Sequence, residues 1–140
     1  MSKSFAGKTI AITGASGGIG QSLCRFFGEE GATIAALDRS DKVLALPEAL
    51  ARQGITAKAA IADIADAGAV QRAFDSFGDV HVLINNAGVS HHPTVAMTDP
   101  TGWEADIAAN RNGAGACAHA VLPQMVERRA GNIVTVGSVN

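Results

Sequence analysis

The sequence predicts an α/β fold: a doubly wound parallel sheet with strand order 3-2-1-4-5. Three observations predict it. Short apolar runs alternate with helix-length segments along the whole chain, the pattern of right-handed crossovers on a parallel sheet. The runs are continuously apolar rather than alternating, as suits strands buried on both faces. A glycine-rich turn, "TGASGGIG" (Thr13–Gly20), joins the first run to the first helical segment.

Each element has its own signal. Lys8–Thr13 is a β-branched run and the first strand. Gly18–Gly31 places Ile19, Leu23, Phe26 and Phe27 at helical spacing, with Gly31 as its stop. Ala32–Asp38 is the second strand. Lys42–Gly54 is helical in pattern but broken by Pro47; proline fits best in a first turn, so an irregular start and a helix from about Pro47 are expected. Thr56–Asp63 is the third strand, Asp66–Gly78 a helix, and Val80–Gly88 the fourth strand. Pro100–Arg129 is a long helical region, and "NIVTVGS" (Asn132–Ser138) reads as a fifth, buried strand.

Composition narrows the function classes. The 140 residues are 47% hydrophobic and 17% charged, too apolar for a disordered chain and long enough for one domain, residues 1–140, with a sizeable core. The net charge of −2 supplies no basic field for nucleic acid or anionic membrane. Cys24 and Cys117 lie far apart with no metal-ligand spacing and read as small buried hydrophobes of a reducing compartment. The amino terminus lacks a secretory pattern, and no apolar stretch reaches the ~18 residues of a membrane span. A cytoplasmic protein is the expectation.

The chemistry lies at the strand ends. The Thr13–Gly20 turn has the context of a phosphate site: glycines let a pyrophosphate approach the backbone, and a helix amino terminus offers free N–H groups and the positive end of its dipole. Its spacing, through Gly14, Gly18 and Gly20, is G-x-x-x-G-x-G rather than the general dinucleotide fingerprint, and a tight turn without a ligand is the competing reading. Asp38, eighteen residues beyond Gly20, stands where a ribose 2′-hydroxyl would be held. Against a 2′-phosphate at ~4 Å and an effective dielectric of ~20, its charge would repel by roughly 4 kcal/mol, of which screening leaves about half. That favours NAD over NADP. Arg39 beside it argues the other way.

In order along the chain, "TGASGGIG", "LD", "AD", "NNAG", "N-x-x-G" and "IVTVGS" resemble the classical short-chain dehydrogenase/reductase family. The resemblance implies a Rossmann-like dinucleotide-binding fold and an NAD(H)-dependent oxidoreductase that interconverts a secondary alcohol and a ketone. It places the cofactor on Gly14, Ser16, Gly17, Gly18, Ile19 and Gly20 of the turn and on Asp38 and Arg39. Asp63 and Ile64 would meet the adenine, and Asn86, Ala87 and Gly88 the nucleotide's sugar side. Asn110 matches the asparagine that holds a water in a proton relay, and Ser138 the serine that hydrogen-bonds the substrate oxygen. Arg111 departs from the apolar residue usual at its place. The resemblance also implies a homo-oligomer, tetramer or dimer, packed through the small-residue face of the long helix (Ala108, Ala109, Ala114, Ala116, Ala120). His91 and His92 form a polar loop or line a substrate pocket; no metal is expected.

The family's acid/base pair is a tyrosine and, four residues later, a lysine, about a dozen residues past the serine. This sequence contains no tyrosine and ends two residues after Ser138. Two readings stay open: the amino-terminal part of an oxidoreductase, or a dinucleotide-binding module without turnover. Because a fifth strand left at the edge would expose unpaired backbone groups, a missing carboxy-terminal segment packed against this chain is expected.

Overall fold

Four crossovers wind β1 (Thr9–Thr13), β2 (Thr33–Asp38), β3 (Ala57–Ile61), β4 (Val82–Asn85) and β5 (Asn132–Thr135) into one sheet of order β3-β2-β1-β4-β5. Every pairing is parallel. The computed structural model describes residues 3–90, 94–97 and 99–138, except the side chain of Val95. His91 and His92 lie outside the described residues.

The connecting helices are α1 (Gly18–Glu29), α2 (Leu46–Ala51), α3 (Ala67–Phe77), α4 (Pro100–Ile107) and α5 (Ala114–Glu127). A 3-10 turn, Asp41–Ala45, precedes α2, and Pro47 falls in the first turn of α2, where its missing N–H costs nothing. Side chains alternate across each strand, and the two faces collect two cores. Ile10, Ile12, Ile34, Ala36 and Ile84 pack with Cys24, Val43, Leu50 and Ile55 on the α1/α2 side. Ala11, Ala35, Leu37 and Leu83 pack with Val70, Phe74, Phe77, Cys117 and Val121 on the α3/α5 side. Gly28 lets α1 lie close to the segment between α2 and β3, for a Cβ there would stand 2.3 Å from Ile55 Cγ2.

Four details differ from the sequence reading. The buried stripe of α1 is Gly20, Cys24 and Gly28, while Ile19 and Phe26 are exposed; the spacing was helical, but the face that meets the sheet is the one small enough to approach it. The long helical region is not one α-helix: Ala108–Gly113 forms a π-helical segment between α4 and α5. Strand β5 is exposed at all four residues; among the described residues it is an edge strand, paired with β4. Ala116 and Ala120, expected on an assembly face, pack partly buried against the α3/α5 core.

Candidate active site

Thr13 ends β1, and Gly14 takes φ +65, a left-handed conformation that suits glycine. The chain turns sharply there into α1. A Cβ on Gly14 would also stand 2.9 Å from Ala87 Cα, so the turn and the loop after β4 touch through backbone. Gly17 caps α1 in extended conformation with no side-chain hydrogen bond. The first-turn amides of α1 therefore keep their donors for a ligand. A Cβ on Gly18 would meet nothing within 4 Å, so the backbone there is open to an incoming group. Gly20 is the reverse case: its Cβ would fall 2.1 Å from the Gly14 carbonyl oxygen.

The second strand delivers the charge. Asp38 Oδ2 accepts the Ser16 N–H at 2.9 Å, and Oδ1 accepts the Ser40 N–H at 3.0 Å. Two backbone donors, one from the turn itself, thus orient the carboxylate. Ser16 Oγ is buried with no hydrogen-bond partner, an unspent polar atom inside the turn. Asp63 Oδ1 accepts the Ala65 N–H at 2.9 Å, which fixes the bend after β3.

The loop after β4 is held from two sides. Thr13 Oγ1 accepts the N–H of Asn86 at 3.0 Å and of Ala87 at 2.9 Å. Asn86 Nδ2 donates to the Thr13 carbonyl at 3.0 Å. On the far side Asn110 Nδ2 donates to the Val89 carbonyl at 2.7 Å, and its Oδ1 accepts the Val89 N–H at 2.8 Å. The π-helical segment sets Asn110 there, and Gly113 at its end admits Ile64, whose Cγ1 a Cβ would meet at 2.6 Å. Asn85 Nδ2 donates to the Ala114 carbonyl at 3.3 Å.

These elements enclose an open cleft of about 350 Å³ at the carboxyl ends of the strands, the place where doubly wound sheets bind ligands. Gly14, Gly17, Gly18, Ile19, Gly20, Asp38, Arg39, Asp63, Ile64, Asn86, Ala87 and Gly88 all line it, joined by Leu37, Ala62, Val89 and Ala109. Ser16 is the one expected nucleotide contact outside the lining; its amide instead positions Asp38. Asn110 supports the cleft through Val89 and Gly88 rather than lining it. Ser138 lies beyond β5 at the same end of the sheet, since Asn85 pairs with Thr135 and Val136 N–H donates to the Asn85 carbonyl at 2.9 Å. Arg111 is exposed on the π-helical segment.

Thr13 opens the glycine-rich motif with no role of its own legible in the sequence, yet its hydroxyl joins β1 to the loop after β4. No described Cys, His, Asp or Glu group could hold a metal ion. Cys24 and Cys117 are buried; burial pushes their thiols up to about 11 and about 12 respectively, the opposite of the lowering that marks a reactive cysteine.

The cleft has the parts a dinucleotide needs: bare amides at a helix amino terminus, backbone that a phosphate can approach, and a fixed carboxylate at the end of the second strand. Gly20→Ala is expected to weaken ADP binding by about 30-fold, because relieving the clash with Gly14 displaces the turn, at an overpacking cost of ~1–3 kcal/mol. Calorimetric titration with ADP checks it, and an unchanged affinity would remove the turn from the site.

A family profile described as "short chain dehydrogenase" matches residues 8–140. Oxidoreductase UcpA of Salmonella typhimurium is 37% identical over 139 residues, an alignment that takes in 96% of this chain and 53% of that protein. Two solved structures are similar. A 3-oxoacyl-[acyl-carrier protein] reductase with bound NAD from Brucella melitensis aligns at TM-score 0.93 with 31% identity, over 98% of this chain and 55% of that one. A gluconate 5-dehydrogenase from Burkholderia cenocepacia in complex with NADP and tartrate aligns at TM-score 0.89 with 33% identity, over 96% and 55%. The chain spans about half the length of the relatives it matches.

Proposed function

The chain belongs to the short chain dehydrogenase family, and from that premise we propose that it holds NAD(H) in the cleft and serves a hydride transfer between a secondary alcohol and a ketone. One observation carries the cofactor half of the proposal: the Asp38 carboxylate, fixed by the amides of Ser16 and Ser40, lines the same cleft as the open turn of α1. A diphosphate would lie on the amides of Gly18 and Ile19, the adenosine ribose against Asp38, and the adenine between Asp63 and Ile64. Ser16 Oγ is the donor still available inside the turn. The loop Asn86–Gly88 would run along the second nucleotide.

The similar structures hold NAD in one case and NADP in another, so the fold leaves the choice to the ribose site. Asp38 favours NAD. A carboxylate accepts both ribose hydroxyls but repels a 2′-phosphate, by roughly 4 kcal/mol before screening halves it. Arg39 is exposed at the rim and gains less from a phosphate there than the fixed carboxylate loses. The proposal is tested by calorimetry with both dinucleotides. NAD(H) is expected to bind at least ~10-fold more tightly, and Asp38→Ala to bring the two within a few-fold. Equal or tighter NADP(H) binding by the unaltered chain would overturn the ribose assignment.

A nicotinamide held there would supply the hydride site. This chain's own residues supply the rest of what it can offer: Asn110 fixes the Val89 backbone beside the cleft, and Ser138 donates to the substrate oxygen. Assembly as a dimer or tetramer through the α4–α5 region, and a small alcohol or carbonyl substrate, belong to the same proposal.

A further inference from the structure

We propose that His81 is a proton-sensitive latch at the end of the sheet opposite the cleft: the neutral ring ties β1 to β4, and protonation releases the tie.

His81 immediately precedes β4. Its Nδ1 accepts the Thr9 N–H at 3.0 Å, while its own N–H donates to the Thr9 carbonyl at 2.9 Å and its carbonyl accepts the Asn132 N–H at 3.1 Å. One residue thus joins the starts of β1, β4 and β5. The backbone bonds are ordinary ladder bonds. The side-chain bond is not, because Nδ1 accepts only while it carries no proton, which places the neutral ring's proton on Nε2. A protonated ring presents N–H to N–H, so the Thr9 amide loses its acceptor and faces a donor.

The surroundings set the direction. Lys8 precedes β1, Arg128 ends α5, and Asp79 lies in the loop before β4; partial burial and the two cations hold the imidazole below its ordinary value of 6.5, against the pull of Asp79. The folded ring therefore binds a proton less readily than the unfolded one. Its contribution is fully present above pH 6.5 and is lost as the pH falls through the lower folded value. The latch is closed near neutrality and opens in acid. Arg128 cannot open with it: its guanidinium is engaged by the Val80 carbonyl, by Gln124 Oε1 at 3.3 Å and by the Ala130 carbonyl at 3.0 Å. Gln124 Oε1 in turn accepts the Val80 N–H at 2.7 Å. A non-titrating clamp thus holds the loop at Val80, one residue away, so the release is confined to the His81–Thr9 contact.

The test is amide exchange at Thr9, followed by NMR across pH 5 to 8 on the full chain and corrected for intrinsic rates. Protection at Thr9 is expected to fall about tenfold through the His81 titration, with a midpoint below 6.5. In His81→Asn the amide oxygen replaces Nδ1 and does not titrate, so protection should stay high and flat. In His81→Phe it should be low at every pH. Should the phenylalanine variant not fold, the ring nitrogens of the unaltered protein decide alone. A proton on Nδ1 at neutral pH, or Thr9 protection indifferent to the ring's titration, overturns the latch. So does an asparagine variant that keeps the wild-type pH profile.

Discussion

Ser138→Ala is expected to lower turnover by about 10²–10³-fold in a form of the protein that carries out the proposed reaction, and to leave dinucleotide affinity nearly unchanged. The expectation rests on register. Strands β4 and β5 run parallel with Asn85 opposite Thr135. Past that pair Val136 still bonds to the Asn85 carbonyl, so the two chains leave the sheet side by side, one toward Asn86–Gly88 and the other toward Ser138. In the proposed role a hydroxyl at that place would meet substrate without belonging to the nucleotide cradle. Its value is in the transition state, where negative charge grows on the oxygen it meets, and a donor already in position costs no reorganisation. A loss in kcat without a matching loss in NAD(H) affinity is therefore the signature, and Ser138→Thr should recover part of it. Steady-state kinetics beside calorimetry separates the two. Near-normal turnover in the alanine variant would take Ser138 out of the chemistry.

The fold was legible because its signals are local and repeated. Five apolar runs, a glycine turn and helical spacing between them are enough to fix order and handedness, and the sheet has that order. The cleft was legible for a related reason: residues at the carboxyl ends of parallel strands converge whatever the sequence between them, so Asp38, Asp63 and Asn86 meet in it. What escaped depended on partners distant in sequence. The role of Ser16 is to hold Asp38 with its amide, 22 residues away, and an amide has no sequence signature. The π-helical segment around Asn110 has none either, since one extra residue in a helical turn leaves the apolar spacing nearly unchanged. It shows only in the structure, where Asn110 within it meets Val89 and Gly113 at its end meets Ile64. The apolar character of Ile133 and Val134 suggested a buried strand; in the sheet they are 40% and 50% exposed, because burial depends on what lies on either side of β5 and not on its own residues.

Thr13→Val is expected to destabilise the fold by about 2–4 kcal/mol. Valine keeps the shape and removes the oxygen. Thr13 is 1% exposed, and its Oγ1 accepts two backbone N–H groups, those of Asn86 and Ala87. A donor left without an acceptor costs ~1–3 kcal/mol when buried, and these two sit on residues that are partly buried beside the cleft, so the lower half of that range applies to each. Against a typical total of ~5–15 kcal/mol, that shift should lower the urea midpoint by roughly 2 M. The damage also reaches function. The two orphaned amides begin the loop that lines the cleft, and Gly14, the next residue along β1, touches Ala87 through backbone, so dinucleotide affinity should fall together with stability. Thr13→Ser separates hydroxyl from methyl: it keeps the acceptor, loses one methyl, and should stay within about 1.5 kcal/mol of the parent. If serine and valine destabilise equally, packing and not the hydroxyl holds this junction. If the valine variant melts like the parent, the two amides have found other acceptors, and the loop is held by Asn110 and the Asn86 side chain alone.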